Sequence, residues 1–123
     1  MSTENIPEDV QEFILKYINS IAQLEALLLL CRDPDTAWDV GSMAKRLYTA
    51  EGETIEVLTQ LGADGLVIQN QGTYRFNRAD WQDLVARVAE TYAKQLIPIT
   101  NIIHAKPRRI REFADAFKFR KGR

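Results

Sequence analysis

One cysteine (Cys31), one histidine (His104) and no apolar run longer than the six residues from Ala26 to Cys31 set the first limits on this chain. A lone thiol excludes an internal disulfide and a cysteine zinc cluster, and a lone imidazole leaves nothing from which to build a multi-histidine metal site. Six apolar residues fall far short of the roughly 18 that a membrane span requires. The start, Met1 to Asp9, is acidic where a signal peptide is basic, so a cytoplasmic location without an export signal is expected. There is no glycine-rich phosphate loop, and Glu51, Glu53 and Glu56 lack the spacing and oxygen-rich loop of a calcium site. Cys31 ends an apolar stretch, where a thiol is usually buried and inert rather than nucleophilic. Neither a cofactor nor a metal is expected, and the chain does not read as an enzyme.

What is present is a globular mixture: 123 residues, 46% apolar and 27% charged, the size of one domain. Its net charge of −1 conceals an uneven distribution. Residues 1–105 carry eight Lys/Arg against fifteen Asp/Glu, whereas residues 106–123 carry eight Lys/Arg against two. An acidic body with a basic end is the footprint of an arm that binds a polyanion, folds back on its own body, or docks on an acidic partner.

Hydrophobic spacing orders the body. Ile6-Pro7-Glu8-Asp9 opens a helix, with carboxylates at the positive end of its dipole. Val10, Phe13, Ile14, Tyr17, Ile18 and Ile21 then share one face. Ser20-Ile21-Ala22-Gln23 fits a capping box, so a second helix starts inside that run, carries Leu24, Leu27, Leu28 and Cys31 inward, and stops at Asp33-Pro34-Asp35. Trp38-Asp39-Val40 predicts a short strand, and Ser42 to Tyr48 a short helix with Met43, Ala44 and Leu47 inward. Glu51 to Gly62 predicts another helix whose apolar face is Ile55, Leu58 and Leu61, flanked by Val57 and ended by Ala63-Asp64-Gly65. Leu66-Val67-Ile68 and Thr73-Tyr74-Arg75-Phe76 predict a hairpin around Gln69-Asn70-Gln71-Gly72.

The stretch from Ser20 to Phe76 resembles the winged helix-turn-helix superfamily of bacterial transcriptional regulators. The resemblance lies in Leu24 to Leu30, in Met43-Ala44-Lys45-Arg46-Leu47, and in Val57-Leu58-Thr59-Gln60-Leu61 running through Gly65-Leu66-Val67. It implies a mainly α fold with a small β-hairpin wing: a winged helix-turn-helix core (20–76) flanked by an N-terminal helix (1–19), a long helix (77–105) and a basic amphipathic tail (106–123), all in one domain. It also implies binding of double-stranded DNA, with the third helix in the major groove and cations on phosphates. On that reading the candidate contacts are Lys45, Arg46, Thr54, Thr59, Gln60, Arg75 and Arg78. The third helix nevertheless carries Glu51, Glu53, Glu56 and Asp64 and no Lys or Arg, the wrong sign for phosphate. The alternative is an interaction module that has kept this packing and holds a protein partner instead, on the acidic helix or through the tail residues Arg108, Arg109, Arg111, Phe113, Phe117, Arg120 and Lys121. An acidic protein partner suits the tail.

Asn77 is placed to cap the long helix, in which Trp81, Val85, Val88, Tyr92, Ile99 and Ile102 alternate spacings of four and three around a polar Gln95. This pattern predicts a coiled-coil seam kinked at Pro98, and with it a homodimer; the alternative is that the terminal helices close one monomeric core. Trp38, Tyr48, Trp81 and Tyr92 either line an apolar effector pocket or pack as core.

Overall fold

The computed structural model describes residues 6–106. Along the chain run α1 (Glu8–Tyr17), α2 (Ile21–Arg32), β1 (Trp38–Asp39), α3 (Val40–Leu47), α4 (Glu51–Ala63), β2 (Val67–Asn70), β3 (Thr73–Phe76), α5 (Arg78–Lys94) and α6 (Leu96–Ala105). The architecture is mainly helical with one small antiparallel sheet, in the strand order β1-β3-β2. No single helix among the described residues is long and apolar enough to cross a membrane. The tail residues Arg108, Arg109, Arg111, Phe113, Phe117, Arg120 and Lys121 lie outside the described residues.

Local hydrogen bonding explains where the first helices break. Ser20 Oγ accepts from the Gln23 amide at 3.1 Å, as the capping box requires. The Gln23 side chain reaches one residue further back than expected: Oε1 accepts from Asn19 N at 2.8 Å, and Nε2 donates to the Tyr17 carbonyl at 3.0 Å. That buried amide therefore ties the end of α1 to the start of α2 across a bend of 116°. At α3, Asp39 caps the Ser42 amide at 2.7 Å. The hairpin turn is tighter than the four residues suggest. Asn70 already pairs with Thr73, leaving Gln71 (φ 52°) and Gly72 (φ 82°) as a two-residue loop, the doubly positive conformation that matches strand twist.

The buried face of α4 is rotated by one residue from the expected one. Thr54, Val57, Leu58 and Leu61 point inward, whereas Ile55 is 47% exposed. These four positions form the i, i+3, i+4, i+7 stripe that a core-facing helix presents. Thr54 can be buried because its hydroxyl donates to the Ala50 carbonyl at 2.9 Å, leaving the Thr49 hydroxyl to donate to it at 2.8 Å. Thr54 is thus a packed residue and is unavailable to read a base.

The expected long helix is two helices. A continuation past Lys94 would set the Pro98 ring against the Lys94 carbonyl and leave that carbonyl without its amide donor. The chain breaks instead at Gln95 (φ −125°, ψ 51°), and Pro98 falls in the first turn of α6, where a missing amide proton costs nothing. α6 turns back and packs on α1. As a result Val85, Val88 and Ile99 are fully buried within one chain, while Trp81, Tyr92 and Ile102 are partly buried against the same core. The predicted dimer seam is core. Asn77 also differs from expectation. It makes no cap, and its Nδ2 donates to the Gly65 carbonyl at 2.7 Å and to Asp80 at 3.2 Å, fastening the start of α5 to the turn after α4.

The α4 register has a direct consequence for stability. Leu58→Ala is expected to cost about 2–5 kcal/mol in urea unfolding, whereas Ile55→Ala should change stability by no more than about 0.5 kcal/mol. Equal losses at the two positions would contradict the rotation.

Candidate interaction surface

The outward side of α4 carries Glu51, Gly52, Glu53, Ile55, Glu56, Thr59 and Gln60, all exposed. No cation lies on this helix, and Glu51, Glu53 and Glu56 form no ion pair among the described residues. A Cβ added at Gly41 would lie 3.6 Å from Glu51 Oε2, so this carboxylate sits beside the first turn of α3, the positive end of that helix. Tyr48 ends α3, three positions before the first residue of α4. Its backbone is left-handed (φ 58°), its amide donates to the carbonyls of Ala44 and Lys45, and its side chain is 94% exposed. A non-glycine residue in this conformation carries a steric cost of roughly 1–2 kcal/mol. The outer side of α4 is thus acidic and exposes the aliphatic side chain of Ile55, and Tyr48 is exposed at the end of the preceding helix.

Of the cations expected to neutralise phosphate, Arg46 lines one cleft and Arg75 with Arg78 another. Lys45 is exposed on α3, where its charge contributes to holding the Asp39 carboxyl below its usual range. Arg46 lines a different cleft, between α2, α3 and α5, of about 430 Å³; Glu25, Leu28, Arg32 and Tyr92 line it as well. Arg75 and Arg78 line a third concavity at the base of the hairpin, shared with Asp35, Asp80 and Asp83. Arg78 is already committed, donating to Asp35 at 3.1 Å and to Gln82 at 3.2 Å. Of the seven candidate DNA contacts, Thr59 and Gln60 share the outer side of α4, and Gln60 donates to Asp64 at 3.2 Å. The others lie elsewhere, or, for Thr54, inside.

The four aromatics considered for an effector pocket are not gathered around one cavity: Tyr92 lines the cleft that also holds Arg46. Tyr48 is on the surface. Trp81 meets the rings of Phe13 and Tyr17 at 5.7 and 5.4 Å between centroids and donates its indole N–H to the Gly65 carbonyl. Tyr92 donates to Glu25 at 3.4 Å, and its hydroxyl pKa is pushed up by burial and then by that carboxylate. Trp38 sits on the edge strand β1, with its indole N–H buried and unpartnered among the described residues. Burial likewise pushes the Cys31 thiol up, while His104 is exposed on α6. No group of three His, Cys, Asp or Glu side chains among the described residues is placed to hold a metal ion.

Sequence reasoning located the acidic helix but not its apolar companions. Tyr48 was expected inside α3 and Ile55 inside the core. The signal for Ile55 was the alternative stripe through Thr54; no signal marks a left-handed tyrosine. No family model, curated protein or solved structure matches the chain.

The cap at the start of α3 gives a pH signature. The Ser42 amide, then the Ser42 hydroxyl, hold the Asp39 carboxyl below the usual carboxylate range, with a lesser contribution from Lys45. A depressed folded-state pKa means that the stabilisation is present above the unfolded-state value and is lost as pH falls through the folded one. The Ser42 amide resonance should therefore titrate below the usual carboxylate range, and Asp39→Asn should abolish that titration. A midpoint at or above the ordinary aspartate value would show that the cap is absent in solution.

Proposed function

We propose that the chain is a winged-helix interaction module whose α3–α4 face binds a cationic, amphipathic segment of a protein partner. The supporting fold argument is the order of elements: two helices, a short strand, the α3–α4 pair, and the β2–β3 hairpin in the place of a wing. The observation that carries the functional reading is the outer side of α4. Three carboxylates without ion pairs among the described residues share that side with the exposed Ile55, on the helix that a DNA-binding winged helix would lay in the major groove, and Tyr48 is exposed at the end of the preceding helix. Against phosphate these charges repel; against Lys and Arg they attract, and the tyrosine and isoleucine offer apolar contact to the other face of the same ligand. Aromatic residues are also the side chains on which interface energy concentrates.

A DNA-binding transcriptional regulator acting as a homodimer is the second reading. It is favoured by Thr59 and Gln60 on the exposed side of α4 and by Lys45 and Arg75, which are exposed and form no ion pair among the described residues. A homodimer in either reading uses surface other than the buried positions Val85, Val88 and Ile99; on α6 the exposed apolar residues are Leu96 and Ile97. A third version, in which the basic aromatic tail holds an acidic protein, rests on residues outside those described. All three suit a cytoplasmic protein.

Fluorescence anisotropy with the full chain separates the readings. One probe is a labelled amphipathic peptide of alternating Lys and Leu turns, the other a mixed-sequence DNA duplex, each titrated across a salt series. Binding of the peptide, weakened at least tenfold by Glu53→Lys with Glu56→Lys at unchanged melting temperature, is the expected result. Duplex binding that falls steeply with salt and is lost in Lys45→Ala with Arg75→Ala, with the peptide indifferent to the glutamates, would establish the DNA-binding regulator instead.

A further inference from the structure

Several hollows open on the described residues, and their linings differ in what is already paired. The concavity at the base of the hairpin carries three carboxylates, and its Arg78 is engaged by Asp35. A smaller hollow between α1 and α6, of about 290 Å³, is lined by Ile6, Gln11, Pro98, Asn101, Ile102 and Ala105 and holds no charged group. The cleft of about 430 Å³ where α2 meets α3 and α5 is unlike either. It brings two guanidiniums to an apolar floor.

One stripe of α2 builds most of it. Glu25, Leu28, Leu29 and Arg32 recur at i, i+3, i+4 and i+7 and so share one side of the helix, while Leu24, Leu27 and Leu30 lie in the core. α3 adds Arg46 and Leu47 from its last turn, and α5 adds Ala89 and Tyr92, one turn apart. Leu29 is buried and Leu28, Leu47 and Ala89 are half-buried, whereas Arg32 and Arg46 are exposed, so the apolar side chains form the floor and the cations the rim. Neither arginine forms an ion pair or a side-chain hydrogen bond among the described residues. Glu25, by contrast, has a donor in the Tyr92 hydroxyl, whose pKa burial and then Glu25 push up, so that it keeps its proton at neutral pH. A cation in the last turn of a helix is favourable by itself, because the dipole is negative there. Helix electrostatics does not, however, require two such turns to converge on one apolar cleft.

We propose that this cleft is a binding site for a small organic monocarboxylate with an apolar body, its carboxylate held by Arg32 and Arg46 and its body against Leu28, Leu29, Leu47 and Ala89. The charges favour a monoanion: two guanidiniums against the single carboxylate of Glu25 leave one positive charge, which one ligand carboxylate neutralises. Guanidinium suits that group because its planar fork of N–H donors can meet both carboxylate oxygens. The volume lies within the range of pockets for small organic molecules, and a few polar groups converging over an apolar lining are their usual make-up. A bare inorganic anion would leave the apolar floor uncovered, and a neutral apolar molecule would leave the guanidiniums unanswered. No residue of α4 lines the cleft, so the site does not depend on how that helix is read.

The test is a 1H–15N titration of the full chain with octanoate, beside acetate, which keeps the charge without the apolar body, and octanamide, which keeps the body without the charge. Octanoate is expected to shift amides within 25–32, 46–47 and 89–92 saturably, with a Kd on the order of 1 mM or tighter, as suits about ten non-hydrogen atoms. Acetate and octanamide should each bind about tenfold more weakly or worse. Arg32→Gln with Arg46→Gln should weaken octanoate binding by about tenfold or more at unchanged melting temperature. Arg32→Lys with Arg46→Lys should recover part of that loss, because it restores the charge without the fork. Both arginines are exposed, so neither pair of substitutions opens the core. Glu25→Gln should leave binding intact or strengthen it, since it removes the one negative charge of the lining.

Octanoate shifts that are absent, centred elsewhere or insensitive to Arg32→Gln with Arg46→Gln would overturn the proposal, as would octanamide binding as tightly as octanoate. Silence with octanoate alongside saturable binding of free leucine that is lost in Glu25→Gln would also overturn it, and would make the cleft a site for a zwitterion.

Discussion

The fold turns on the inability of one helix to continue. Pro98 has no amide to give the Lys94 carbonyl, and its ring would occupy the space that carbonyl needs. The chain responds by ending α5 at Lys94 and resuming at Leu96, where Ile99 N donates to the Gln95 carbonyl at 3.1 Å. From that break follows the placement of α6 on α1, and from the placement follows the burial of Ile99 and Ile103. Lys106 completes the closure, because its ammonium satisfies the Ile18 carbonyl, which the end of α1 leaves without a helical partner. A continuous helix of the same sequence would hold its apolar stripe out for another chain. The broken one spends that stripe on its own core.

Closing the core within one chain changes which surface remains to be explained. A stripe at heptad-like spacing is consistent with a partner or with a fold-back, and the decision between them is made by residues that carry no stripe, here Pro98 and Lys106. Once α6 is seated, the exposed large apolar residues are few: Leu15, Tyr48, Ile55, Ile68, Leu96 and Ile97. Of these, Ile55 lies on α4 among its exposed carboxylates. Isolated apolar side chains on a surface need no function, but an aromatic displayed in a sterically costly backbone conformation, as Tyr48 is, is an arrangement that packing alone does not call for.

Several elements were legible from residue spacing because local chemistry and tertiary packing agree. Ser20 and Gln23 mark the α1–α2 break, Pro34 follows the end of α2, and Gly65 (φ 77°) follows α4. The mainly helical fold with a small sheet follows from the same signals. Two features were not legible. On α4 both Ile55 and Thr54 complete a stripe with Leu58 and Leu61, and hydropathy favours the isoleucine. The threonine is buried because Ala50 and Thr49 satisfy its hydroxyl, a bond that hydropathy does not record. The break at Gln95 was read as a kink three residues late, since proline acts on the carbonyl four residues before it. The candidate site was legible as an acidic helix, but the separation of Arg46 from Arg75 and Arg78 depends on which cleft each side chain borders, and spacing along the chain does not encode that.

Charge is where composition and geometry have to be read together. The net charge of −1 describes neither half of the molecule. Over a Debye length of about 8 Å at physiological salt, a ligand senses the side chains nearest it and little of the total. On the outer side of α4 that local field is negative, and no residue of that helix offsets it. Major-groove binding would therefore require cations from outside the helix, whereas binding a basic segment requires nothing that the face lacks.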